Sequence, residues 1–314
     1  MAEINTKQIV QKWKEELKLE VDRLKGKGIF PKLTIIQDSQ TQEECAMYKR
    51  NKHRVAEELG IESENVIINT EGKSKNEIIT LIKSEISEIT NPIIIQMPFT
   101  NINSTDIANI IPYKLDVDGL SRRQRYLLSI NDPKALVPAT AKGCMKLLKH
   151  LYEDLTGKTM CIVNRSDLIG KPLIQLALNE NMTPIICHSK TPYWRIKKYM
   201  QQSDIIITGC GKRKLFDVYD ITDEYFDTMV ETILDCSMAK VEGVSGVGDF
   251  DKESILEFKP HIDIASGYNH LGTTTVVALM ENVVQVYENM LSEDDMYDLD
   301  REIYISQSEN PYEE

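Results

Sequence analysis

The sequence predicts an α/β fold of two domains, the second built on a doubly wound parallel sheet. Three observations predict it. The chain has 314 residues, more than one ordinary hydrophobic core accommodates. Short apolar runs alternate with helical patterns at the spacing of βαβ units. Two such alternating blocks flank the polar connection SRRQRYLLSINDPKALVP (121–138), which reads as the boundary, its RRQR charge run as a solvated face.

The first block opens on a charged amphipathic helix within residues 1–29. KLTIIQD (32–38) is a strand ending in polar residues, and QEECAMYKRNKHRVAEELGI (42–61) is a helix that stops at Gly60. NVIINT and NPIIIQMP are further strands, with the helix NEIITLIKSEISEI between them. The second block runs TAKGCMKLLKHLYEDL (helix), KTMCIVN (strand), GKPLIQLALNEN (helix), TPIICHS (strand), PYWRIKKYMQQ (helix), SDIIITGCG (strand), ETILDCSM (strand), HIDIAS (short strand) and TTTVVALMENVVQVYENML (helix). Strand, turn and helix in this order make a Rossmann-type doubly wound domain.

Composition narrows the function. Apolar residues make up 41% of the chain and charged residues 27%, ordinary values for a globular protein, and no run of about 18 apolar residues suggests a membrane span. The N-terminus lacks the features of a secretion or transit signal, so the cytoplasm is expected. The net charge is −12, and residues 293–314 hold nine acids against one Arg, which leaves the body near −4. That balance argues against nucleic acid as a partner. The tail lacks periodicity and reads as a solvated appendage. Cys45, Cys144, Cys161, Cys187, Cys210 and Cys236 form no CxxC pair, so reduced thiols are expected and no metal site.

In a doubly wound domain the first strand-to-helix turn receives the dinucleotide, with the helix N-terminus offering N–H groups. That turn here is Val163 to Leu173, and it keeps only Gly170 of a GxGxxG pattern. Binders of NAD place an acid at the end of the second strand for the ribose hydroxyl. This chain has Cys187-His188-Ser189-Lys190-Thr191 there, without an acid, and Arg165 on the neighbouring turn, which favours NADP over an ordinary polar loop. Gly209 and Gly211 end the next strand, where they serve either close ligand approach or a tight turn.

In the first block, Tyr48 and Lys52 are four residues apart and share a helix face. Gln96 ends an apolar strand at the edge where parallel sheets bind ligands. Asp116 and Asp118 form an acidic pair before Gly119. Alone, each has a bland structural reading. The ordered set YKRNKHRVAEELGI, IIIQMP, DVDGL, VPATAKG, NRSDLIGKPL, CHSKT, SDIIITGCG and GDF (248–250) resembles the bifunctional methylenetetrahydrofolate dehydrogenase/methenyltetrahydrofolate cyclohydrolase family over residues from about 5 to 290.

The resemblance implies a folate-binding catalytic domain over 1–139 plus 276–292, an NADP-binding domain over 140–275 and the acidic tail 293–314. It implies catalytic roles for Lys52, Gln96 and Asp118 and folate contacts for Tyr48, Lys52, Gln96 and Asp118. It implies cofactor contacts for Asn164, Arg165, Ser166, Ser189, Gly209, Gly211 and Met238, and a homodimer. The implied reactions are NADP-dependent oxidation of 5,10-methylenetetrahydrofolate and hydrolysis to 10-formyltetrahydrofolate. A relative with one of these activities, or a non-catalytic NADP- and folate-binding homologue, is the alternative. Four departures stand out. The family's PGGVGPMT loop reads Tyr268-Asn269-His270-Leu271-Gly272-Thr273-Thr274-Thr275, Asn164 replaces a Gly, Cys45 replaces a Ser, and Leu115 is inserted.

Overall fold

The structure, a computed structural model, describes residues 4–222, 228–237, 239–241 and 244–291, though not the side chains of Glu44, Cys45, Tyr48, Tyr268, Asn269 and residues 239–241 and 244–246. Met238 and the acidic tail therefore lie outside the described residues. The chain divides into two compact units, Glu15–Val137 with Leu279–Glu314, and Met1–Lys14 with Pro138–Ala278.

In the first unit, helix α1 (Thr6–Gly26) precedes strand β1 (Lys32–Asp38), helix α2 (Gln42–Leu59), strand β2 (Glu62–Ile68), helix α3 (Lys75–Ile86), strand β3 (Ile93–Gln96) and helices α4 (Ser104–Ile107) and α5 (Arg122–Ser129). The sheet order is β2-β1-β3, all parallel, with Gln37 in register with Gln96. Gly60 stops α2 in the left-handed conformation, φ 76°, with its N–H turned back to Ala56 and Glu57. Ser74 and Glu77 form a capping box on α3. Asp38, fully buried, ties the three strand ends together. It accepts from Gln40 N at 2.8 Å, Thr70 Oγ1 at 2.5 Å and Thr100 N at 2.6 Å. Burial pushes its pKa up, but the hydrogen bonds from Thr100, Thr70 and Gln40 outweigh burial and hold it below the ordinary value.

The 121–138 connection is not a plain linker, and its RRQR run is not wholly a solvated face. Ser121 caps α5 through Gln124 N. Gln124 is buried, with Nε2 donating to Tyr113 O and Oε1 accepting from Leu136 N, each at 2.7 Å. A fully satisfied amide makes a core residue out of a polar one.

The second unit carries α6 (Ala139–Leu151), β4 (Thr159–Val163), α7 (Gly170–Asn179), β5 (Thr183–Cys187), α8 (Tyr193–Gln201), β6 (Ile205–Thr208), α9 (Val218–Ile221), β7 (Thr232–Asp235), β8 (Ala239–Val241), β9 (Val244–Val247), α10 (Lys252–Phe258), β10 (Asp263–Ser266) and α11 (Thr273–Leu291), whose residues from Leu279 onward count with the first unit. Its main sheet has the parallel order β10-β7-β6-β4-β5. Strands β4, β6 and β7 are buried along nearly their whole length, which explains their unbroken Ile, Val and Leu runs. The antiparallel pair β8-β9 has no counterpart in the sequence reading, because three or four residues per strand give no readable period.

Residues 4–14, inside the 1–139 span expected for the catalytic domain, pack with the second unit. Ile4 N donates to Ile264 O at 3.1 Å, Thr6 Oγ1 lies 3.0 Å from His270 Nδ1, and Lys146 Nζ stands 4.7 Å over the Trp13 ring. These partners are more than 100 residues away in sequence, beyond the reach of local pattern.

Asn282 on α11 is fully buried and donates from Nδ2 to Val117 O at 2.8 Å and Val137 O at 2.7 Å. Asn282→Ala leaves both carbonyls without that donor. The expected loss is about 2–3 kcal/mol, read as a lower midpoint of urea unfolding.

Candidate active site

In each parallel sheet the chain leaves the first strand toward one side and returns on the other. Ligands bind at the carboxyl ends of the strands that flank this switch point. In the first unit those strands are β1 and β3, ending in Gln37-Asp38 and Gln96. Lys52 on α2, half-buried, donates from Nζ to Gln96 Oε1 at 2.6 Å. Gln96 Nε2 donates in turn to Met97 O at 2.9 Å, which fixes the amide with its oxygen toward the ammonium. Asp118 follows on the loop after β3. Burial raises its pKa, and the Lys52 charge partly offsets that rise, so the two groups are electrostatic neighbours. Three of the predicted residues, Lys52, Gln96 and Asp118, thus form one cluster. Tyr48 lies one turn before Lys52 on α2, with its side chain outside the description.

Asp116, beside this cluster, has a role the sequence reading did not assign. It is fully buried and accepts from Ser121 N at 2.6 Å through Oδ2, while Oδ1 has no partner. Burial raises its pKa to about 7; the Asp118 charge adds to the rise and the Ser121 N–H opposes it.

In the second unit the switch point lies between β4 and β6. Asn164 spans it. Nδ2 donates to Gly209 O at 2.6 Å, and Oδ1 accepts from Ser166 N at 2.7 Å and Gly170 N at 3.1 Å. A Cβ on Gly170 would stand 2.1 Å from Asn164 O, so the turn admits only glycine there. The amides at the start of α7, expected from the sequence to be open to an anion, are instead occupied within the turn. Ile169 N donates to Ser166 Oγ at 3.1 Å, Gly170 N to Asn164 and Lys171 N to Ser166 O at 3.1 Å. What remains for an anion is a set of side chains. Arg165, Ser166 and Ser189 are exposed, and an Arg165 amine donates to Ser189 Oγ at 3.3 Å. A guanidinium and hydroxyls at this edge, without an acid at the end of β5, fit the 2′-phosphate of NADP.

The loop after β6 is held by two carboxylates that sequence reading touched only through GDF. Asp249 accepts from Cys210 N at 2.6 Å and Lys212 N at 2.9 Å. Asp235, fully buried, accepts from Phe250 N at 2.9 Å, Ser266 Oγ at 3.0 Å, Ser237 N at 3.1 Å and Thr208 Oγ1 at 3.2 Å. Gly211 takes φ 71° and donates to Ser237 Oγ at 2.9 Å. The Tyr268–Gly272 segment makes one π-helical turn entering α11, and Thr273 Oγ1 donates to His270 O at 2.7 Å. His270 thus has a structural partner in Thr6.

The sequence model of the tetrahydrofolate dehydrogenase/cyclohydrolase catalytic domain matches residues 4–118, and that of the family's NAD(P)-binding domain matches residues 138–291. A bifunctional protein FolD of Agathobacter rectalis is 32% identical over 284 residues, 90% of this chain and 97% of the relative. The chain belongs to the tetrahydrofolate dehydrogenase/cyclohydrolase family. A second bifunctional protein FolD, of Nitrosopumilus maritimus, is 32% identical over 289 residues, 90% of this chain and 95% of the relative. The crystal structure of the bifunctional FolD methylenetetrahydrofolate dehydrogenase/cyclohydrolase of Campylobacter jejuni superposes with a TM-score of 0.81 at 29% identity, covering 93% of this chain and all of that one. The two-domain α/β architecture is that of the family.

The raised Asp116 pKa has a sign that can be worked out. A raised folded value stabilises the fold fully below the ordinary 3.8, and that contribution is lost as pH climbs to about 7. Asp116→Asn is expected to flatten the decline in unfolding midpoint between about pH 4.5 and 7.5. Parallel pH curves for wild type and variant would refute the assignment.

Proposed function

We propose that this chain oxidises 5,10-methylenetetrahydrofolate to the 5,10-methenyl form with NADP and hydrolyses the product to 10-formyltetrahydrofolate. The observation that carries this reading is the 2.6 Å hydrogen bond from Lys52 to Gln96, at the carboxyl end of β3 and beside Asp118. The substrate carbon lies between two nitrogens whose lone pairs stabilise the cation left by oxidation. NADP, when bound, supplies the acceptor for that oxidation. The protein's share in the first step is therefore positioning.

Hydrolysis asks more of the side chains, because water attacks and a proton must move. Lys52 is the group that moves it, aimed by Gln96. Asp118, with its raised pKa, holds the polar edge of the pterin, and Tyr48 stacks on the folate one helical turn from Lys52. Arg165, Ser166 and Ser189 hold the cofactor phosphates. Gly209 and Gly211 form the loop edge against the cofactor, while Asn164 shapes the turn after β4; the contact for Met238, outside the described residues, rests on the resemblance alone. Lys52→Met is expected to lower methenyl hydrolysis by roughly a hundredfold or more while the fold is kept. A variant that hydrolyses at the wild-type rate refutes the role. NADP and folate binding by wild type without turnover would favour a binding role instead.

Among the described residues no helix is long and apolar enough to cross a membrane. We place the protein in the cytoplasm as a homodimer. The supporting observation is strand β5, an edge of the five-stranded sheet, where Ile186 is exposed and Leu178 on the preceding helix is 53% exposed. An unpaired apolar edge favours a partner. Sedimentation should give twice the chain mass for wild type and a shift toward monomer for Ile186→Lys. A wild-type monomer rejects the dimer.

A further inference from the structure

We propose that Gln37 is a positioning residue for Lys52, a second amide acceptor at the same switch point as Gln96. This rests on the reading of Lys52 as the group that moves the proton in hydrolysis. Gln37 and Gln96 are in register on adjacent parallel strands, so their side chains leave the same face of the sheet about 4.8 Å apart. Helix α2 covers that face. Lys52 reaches Gln96, and His53, the next residue, meets Ser63 Oγ at 2.6 Å and Asn65 Nδ2 at 2.8 Å. Ser63 and Asn65 share a strand face with Ile67, the in-register neighbour of Gln37 on β2, which is 51% exposed. Gln37 therefore lies between Ile67 and Gln96 on the face that α2 contacts.

Gln37 is fully buried, and among the described residues neither its Oε1 nor its Nε2 has a hydrogen-bond partner. The other buried amides differ: Gln124 uses both ends of its amide, and Asn282 donates twice. An orphaned amide in the core costs stability that leucine in the same space would not cost. The fold gives no return for it. The neighbouring chemistry does, since the Lys52 ammonium that Gln96 aims stands at the same strand ends and an ammonium carries three donors. With the Gln96 amide fixed by Met97 O, Gln37 offers Lys52 a second acceptor beside it, so the ammonium keeps its aim during proton transfer. The charged groups around this point are Lys52 from α2 and Asp116 and Asp118 from the loop after β3. Asp38, next to Gln37 in sequence, faces the other side and is held by Thr70 and Thr100.

The test uses the full-length protein and two variants, after wild-type methenyl hydrolysis has been measured. Gln37→Leu should raise the midpoint of thermal unfolding and lower kcat for hydrolysis by roughly tenfold, with KM little changed. Gln37→Glu should move the lysine-controlled limb of the kcat against pH profile to higher pH, because a carboxylate beside the ammonium favours its charged form. An active wild type with unchanged kcat in Gln37→Leu and an unchanged profile in Gln37→Glu overturns the proposal and leaves the functional reading standing. A lowered unfolding midpoint in Gln37→Leu also overturns it, since the amide would then have a structural partner. A wild type that hydrolyses nothing removes the functional reading and the proposal with it.

Discussion

Parallel sheets bring every strand's carboxyl end to one edge, and the loops that leave that edge expose backbone N–H groups that must find acceptors. Buried carboxylates meet this need in both units. Asp38 collects donors from the segments that follow β1, β2 and β3. Asp235 and Asp249 collect donors from the loops around β6, β7 and β10. Each carboxylate is short and its bonds are charge-assisted, so the loop atoms are fixed within narrow limits. The packing is tight enough that a Cβ on Gly248 would stand 2.0 Å from Asp235 Oδ2. The sites at both switch points depend on this pinning, because the side chains that act there sit on the pinned segments or beside them.

Charge is distributed around the Lys52 cluster so that burial and pairing oppose each other. Asp116 and Asp118 are both pushed up by burial, and Lys52 pulls Asp118 back. Gln96, a neutral acceptor, directs the ammonium without neutralising it. A carboxylate in that position would hold the lysine charged much more firmly. The amide choice at Gln96 is therefore consistent with a group that must exchange a proton.

On the nucleotide side, Asn164 changes how the turn is built. Its side chain occupies the amides of Ser166 and Gly170 and closes onto Gly209. A glycine there would leave those donors to a ligand. The proposed anion recognition rests instead on Arg165, Ser166 and Ser189, an arrangement that matches a phosphate carried on the ribose better than a pyrophosphate cradled by a helix end.

The sequence by itself determined what depends on neighbouring residues. KLTIIQD is strand β1 to the residue, the stop at Gly60 needs only a left-handed glycine, and TTTVVALMENVVQVYENML is α11. It also brought Lys52, Gln96 and Asp118 forward through ordered motifs, although no local pattern states that they touch. Tertiary structure decided the rest. The N-terminal residues 4–14 pack with β10 and the 268–272 turn. The supposed linker became α5 because Gln124 found partners on both sides. Asp116 and Gln37 acquired their character from complete burial, and Asn164 from a carbonyl 45 residues away. The physical reason is common to all of these. Burial and hydrogen-bond satisfaction are properties of the neighbours a residue meets after folding, and those neighbours are distant in the chain.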